Sequence, residues 1–246
     1  MFISKLAFLK IDFMKSKIFL ILFSIAVIGV FSGIALHEKR FDYIFKPLLM
    51  ISLGGHFLVN AARFEFKIKI FAVWAILFSL FGDTFLMFAG NGPNFFIFGL
   101  GSFLVAQIGY IFLFRRLNQV EGLKPYIATK PLWLLLYFAY GGVIYILLFS
   151  NLDAVLKIAV FIYMAALLGM SIMAMNRKGI QPQISFNLVF TGSLLFVVSD
   201  TLIALNKFLT PIPADRFWVM STYMAAQFLI VTGILKQLEK QSVFER

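Results

Sequence analysis

Cysteine is absent from all 246 residues. That single absence excludes disulfides, thiolate nucleophiles and cysteine-held metals. Histidine is almost absent as well. His37 and His56 are the only two, which rules out membrane hydrolases that hold a metal with three imidazoles. Neither a metal nor any other cofactor is expected. Charge is scarce, at 13% of residues against about 25% in soluble domains. Acid is the scarcer sign, with 11 Asp and Glu against 22 Lys and Arg. There is no linker and no low-complexity tract, so residues 1–246 read as one transmembrane domain with no room for a soluble catalytic module.

What is present is hydrocarbon. Apolar residues make up 61% of the chain, and the mean hydropathy is +0.94. They gather in runs near 20 long, the length that crosses about 30 Å of hydrocarbon. An open sheet would leave backbone groups unpaired in lipid. The expected fold is therefore all-α, a polytopic integral membrane bundle of eight transmembrane helices. The spans are placed at about 18–36, 43–62, 68–89, 94–114, 132–150, 154–175, 184–206 and 216–236. The first span follows Lys5, Lys10, Lys15 and Lys17 as a signal sequence would. Its apolar stretch is long for one, and it reads as a retained anchor.

The net charge of +11 raises nucleic acid as a partner. Placement excludes it, because the basic residues sit at span ends and no basic aromatic stripe accompanies them. Counted on alternate sides, Lys and Arg divide into about 16 and about 5. The richer side holds both termini, which are expected in the cytoplasm, of the plasma or inner membrane if the source is bacterial.

Two carboxylates interrupt this pattern: Asp83 and Asp200, each followed by Thr (Thr84, Thr201), with Ser199 before the second. Of the eleven acidic residues, these two are read as the ones deep inside spans. An ionisable group in a bilayer is costly and marks a candidate site. Each lies roughly 22–24 Å along a span that runs from inside to outside. Both are therefore expected at one level in the outer half of the membrane. Lys46 shares that layer on span 2, and Tyr223 and Gln227 share a face of span 8 at i, i+4.

Each feature has a plainer reading. A buried acid can pair with Lys46 or cap backbone. Lys46, just before Pro47, can snorkel from a first turn. Tyr223 and Gln227 can bond across helices. Gln107 and Tyr110 share a face nearer the cytoplasm and read as packing or a cavity floor, and Tyr163 and Asn187 are ambiguous. His56 lies too far inward to join the acids. Gly29 and Gly33, at small-xxx-small spacing, read as close helix packing.

Several motifs occur in order. Tyr43-Ile44-Phe45-Lys46-Pro47 is an early Lys-Pro element, and Phe81-Gly82-Asp83 a Gly-Asp motif. The helix Gly99-Leu100-Gly101 to Gln107-Ile108-Gly109-Tyr110 follows. Ser199-Asp200-Thr201 with Asn206-Lys207-Phe208, and Tyr223-Met224-Ala225-Ala226-Gln227, come late. Taken together they resemble the YhhN-type lysoplasmalogenase-like family of eight-helix membrane proteins. Gln107 departs from it, standing where many members carry His. The resemblance implies hydrolysis of the vinyl-ether bond of a lysoplasmalogen to a fatty aldehyde and a glycerophospho-amine.

The residues suit that chemistry. Vinyl ethers yield to acid through an oxocarbenium ion, which needs a proton donor, a nearby anion and a held water. Two carboxylates supply such a pair elsewhere. Asp83 and Asp200 are the expected catalytic acids. Asp200 as donor and Asp83 as base is the working assignment, although a coupled pair titrates jointly. Lys46, Thr84, Ser199, Thr201, Tyr223 and Gln227 are the expected supporting residues. The expected partners are a single-chain lipid substrate and the bilayer lipids, with no obligate protein partner evident. The alternatives are a proton- or cation-coupled transporter using the same acids, a hydrolase of another lysolipid bond, and a structural subunit.

Overall fold

The computed structural model describes residues 2–61 and 65–244, with side chains described over 14–61 and 65–237. Lys5, Lys10, Arg63, Lys240 and Arg246, which enter the charge count, lie outside the described side chains. Helices run over α1 (Phe2–Ala35), α2 (Arg40–Asn60), α3 (Phe66–Met87), α4 (Pro93–Leu117) and the short α5 (Tyr126–Thr129). They continue through α6 (Trp133–Phe149), α7 (Ala154–Met175), α8 (Gln183–Phe208) and α9 (Asp215–Phe244). No strand occurs among the described residues.

Each expected span falls on a long helix. Six described helices are long and apolar enough to cross a membrane: Met14–Ala35, Phe66–Met87, Pro93–Leu117, Ala154–Met175, Gln183–Phe208 and Asp215–Gln237. The chain is an integral membrane protein. The other two long helices differ from these six. The apolar helix α6 has 17 residues, the lower end of what spans hydrocarbon. In α2 the first turns carry Arg40, Asp42 and Lys46. This helix begins before the expected span, so Pro47 lies inside it rather than in its first turn. The missing Pro47 N–H leaves the Tyr43 carbonyl without its helical donor.

The chain forms two compact units, Met1–Ala106 and Gln107–Arg246. In the first, α1 packs along α2 and α2 along α3. Glycine makes the α1–α2 approach possible. A Cβ on Gly29 would stand 2.3 Å from the Phe45 ring, and one on Gly33 would stand 2.5 Å from Phe41 Cβ. That is the close packing expected of the Gly29–Gly33 pair. His56 is fastened here through Nδ1. Its Nδ1 lies 3.2 Å from Ser16 Oγ, which also accepts from Asn60 Nδ2 at 3.0 Å.

In the second unit α8 and α9 pack together, α7 packs on α8, and α6 packs on both α7 and α8. Asp153 starts α7 by accepting from the Leu156 N–H at 2.8 Å, a side-chain cap for an orphan helix donor. Past the end of α7 lies Arg177, fully buried. Its Nη2 donates to Ser185 Oγ at 2.8 Å and to Gln237 Oε1 at 2.5 Å. Its guanidinium carbon sits 5.6 Å from the centre of the Phe114 ring. Two helices end beside it, α4 at Leu117 and α7 at Met175, and helix C-termini favour a cation. Burial still pushes the guanidinium down, to about 9. Its Nε and Nη1 make no hydrogen bond.

Candidate active site

In the second unit the polar side chains form a belt across four helices. Asp200, buried on α8, accepts a 2.5 Å hydrogen bond from the Tyr163 hydroxyl of α7. A bond that short between a phenol and a carboxylate belongs to the charge-assisted class. The side-chain amide of Gln107, on α4, faces the same hydroxyl. Neither its oxygen nor its nitrogen completes a well-aligned hydrogen bond. One turn along α4, the Tyr110 hydroxyl donates to Gln227 Oε1 of α9 at 2.6 Å. One turn before Gln227, the Tyr223 ring meets Phe196 of α8 edge-on at 5.6 Å. Phe196 lies one turn before Asp200. The links therefore run α9–α4–α7–α8–α9 and close on themselves.

Tyr223 and Gln227 contact Phe196 and Tyr110 within this belt. Tyr110, Gln107 and Tyr163 are the residues that sequence reasoning placed elsewhere or left ambiguous. One signal bore on Tyr163: it lies about three turns from the start of α7, and Asp200 about two turns from the end of α8. Two neighbouring helices running in opposite directions bring those positions level.

The hydroxyls beside the acids serve the helices. Thr84 Oγ1 donates to the Leu80 carbonyl at 2.8 Å. Thr201 Oγ1 donates to the Val197 carbonyl at 2.8 Å and lies 2.7 Å from the Tyr140 hydroxyl. Ser199 Oγ donates to the Val219 carbonyl at 3.2 Å, tying α8 to α9.

In the first unit Asp83 is buried on α3. Beside it, Gly82 leaves room for the Phe103 ring, which a Cβ would meet at 2.5 Å. Lys46 forms its ion pair with Asp42, at 3.4 Å and one turn away on α2. Asp42 is itself buried, a third acid inside a long helix that the span boundary at residue 43 had hidden. Its i, i+4 spacing from Lys46 was the available signal.

An apolar groove of about 520 Å³ lies between α6, α7 and α8. Trp133, Tyr137, Leu168, Leu194 and Val198 are among its walls. The Tyr137 hydroxyl is turned into the unit, 3.0 Å from Ser171 Oγ, which leaves hydrocarbon facing the groove. Among the described residues, no three His, Cys, Asp or Glu side chains come close enough to hold a metal.

Comparison with known proteins gives these features a context. The model of the YhhN family matches residues 41–234. A cattle (Bos taurus) protein named lysoplasmalogenase TMEM86A is 33% identical over 168 residues, 67% of this chain and 65% of that protein. The human (Homo sapiens) protein of the same name is 31% identical over 167 residues, again 67% and 65%. A pig (Sus scrofa) protein named lysoplasmalogenase TMEM86B is 34% identical over 160 residues, 65% and 61%. The chain thus matches a little under two thirds of the length of these relatives. No solved structure matches.

Proposed function

The chain belongs to the YhhN family, and from that premise we propose that it hydrolyses the vinyl-ether bond of lysoplasmalogens. The products are a fatty aldehyde and a glycerophospho-amine. The observation that carries this reading is the polar belt around Asp200 inside an otherwise hydrocarbon bundle. The name lysoplasmalogenase, borne by the relatives, supplies the substrate.

The reaction needs a proton delivered to the β-carbon of the vinyl ether. It then needs an anion to stabilise the oxocarbenium ion and to take a proton from the attacking water. Asp83 and Asp200 are assigned these two tasks. In low dielectric, acids that work as a pair separate into one protonated and one ionised group. Tyr223 and Gln227 line the polar belt. Thr84, Ser199 and Thr201 steady the helices that carry the acids, and the Asp42–Lys46 pair steadies α2. The apolar groove suits an aliphatic chain. The proposed membrane arrangement has eight spans, both termini in the cytoplasm and the site toward the outer half.

The test uses purified protein in nanodiscs with lysoplasmalogen as substrate. Aldehyde release is expected from the native sequence and is expected to be lost in both Asp83→Asn and Asp200→Asn. Equal turnover of an ether-free lysolipid would move the reading to another bond. Full activity in either variant would remove the paired-acid mechanism.

A further inference from the structure

Two glutamines are buried in the belt, and they are treated differently. Gln227 has its Oε1 occupied by the Tyr110 hydroxyl. Gln107 is wholly buried, and apart from a loosely aligned contact with the Tyr163 hydroxyl neither its Oε1 nor its Nε2 completes a hydrogen bond. A buried amide in that condition bears the full cost of losing water, and native structures almost always avoid it. The under-satisfied amide meets the Tyr163 hydroxyl oxygen, and that hydroxyl donates its own proton to Asp200 Oδ2. Three groups of complementary chemistry therefore meet: an under-satisfied amide, a phenol whose O–H is donated to a carboxylate, and that carboxylate.

We propose that Gln107 and the Tyr163–Asp200 pair form the subsite of the reacting water, with Tyr163 as the positioning residue for Asp200. This rests on the vinyl-ether reading above. An amide offers one carbonyl acceptor and two N–H donors, the complement of a water molecule. The general acid of the reaction gives its proton to the β-carbon of R–CH=CH–O–R′, forming R–CH2–CH=O⁺–R′ and leaving that acid ionised. A lone pair of the water held by Gln107 forms a new C–O bond to that carbon, and a water proton passes to the Asp200 carboxylate. The hemiacetal then collapses. The C–OR′ bond breaks, R′O takes the proton held by Asp200 and leaves as R′–OH, and the hemiacetal hydroxyl proton returns to the general acid, leaving R–CH2–CHO. One water is consumed and nothing is oxidised or reduced. In this assignment Asp200 acts as the base, the reverse of the working assignment drawn from the sequence.

The experiment uses the full chain in nanodiscs, with methanol as a competing nucleophile. Methanol that reaches the oxocarbenium ion gives a stable mixed acetal. The native protein is expected to give aldehyde with little acetal. Gln107→Leu should lower kcat about a hundredfold, the scale of losing an oriented reactant, with KM near native and a larger acetal fraction. Its melting temperature should stay level or rise, because an under-satisfied buried amide has been removed. Tyr163→Phe should lower kcat with KM unchanged, and Gln107→Asn should recover part of the loss. If Gln107→Leu does not fold, Gln107→Met replaces it. A second measurement needs no substrate. The infrared band of an internal water, identified by its shift in H2¹⁸O, should be present in the native protein and lost in Gln107→Leu. Native kcat and native acetal fraction in a folded Gln107→Leu would overturn the subsite. An absent water band would do the same. A water band without aldehyde release would keep the subsite and overturn the vinyl-ether reaction.

Discussion

Asp42 in the first unit and Asp200 in the second are both buried acids, and they are held in opposite ways. Asp42 meets a cation one turn along its own helix, at 3.4 Å. Asp200 meets a phenol delivered by another helix, at 2.5 Å. The ion pair cancels charge where it arises, and any helix with that spacing can make it. The phenol brings no counter-charge. It orients the carboxylate and leaves it able to exchange a proton. One arrangement is suited to quiet a charge and the other to use it. Arg177 is a third case, a buried cation held by a hydroxyl, an amide oxygen and an aromatic face.

Substitutions sharpen or break this contrast. The largest effect is expected at Asp200→Asn, which should lower aldehyde release by about 10²- to 10⁴-fold, the range for a lost acid–base group, in a protein that still folds. Next comes Arg177→Ala. Removing two hydrogen bonds from a charged donor should cost about 3 kcal/mol or more, read as a lowered melting temperature. Asp42→Asn leaves the partly buried Lys46 without its carboxylate and should cost about 1 kcal/mol in thermal stability. Adding Lys46→Met should recover most of that loss. Loss of activity in Asp42→Asn as complete as in Asp200→Asn would erase the distinction between the two acids. Smallest is Thr84→Val, where only a bond to the same helix disappears. A change of about 0.5 kcal/mol is expected there, within the usual range for peripheral substitutions.

These cases also separate what is legible in a chain from what is not. The long apolar helices, six of them able to cross a membrane among the described residues, were legible because hydropathy accumulates along the sequence. The Gly29–Gly33 approach was found because i, i+4 residues share a helix face whatever the partner is. The pairing of Asp42 with Lys46 was equally readable on that rule; Lys46 was singled out, and Asp42 was missed because the span was started at residue 43. Tyr163 is different. Nothing local tells that it meets Asp200, 37 positions away. A helix apolar on every side gives no periodic stripe from which to infer its rotation. The same blindness placed Gln107 with packing residues and gave no sign that Arg177 is buried to zero exposure.

The sequence alone determined a helical membrane protein and the positions along its helices where acids interrupt hydrocarbon. Those are sums over neighbouring residues, and the cost of a charge in lipid makes each interruption visible. Only the tertiary structure decided which phenol holds Asp200, that Lys46 serves Asp42, and that one buried glutamine is firmly bonded while the other is under-satisfied. Each of these depends on how far a helix is turned about its own axis. Close packing between distant segments sets that turn, and no local property of the chain records it.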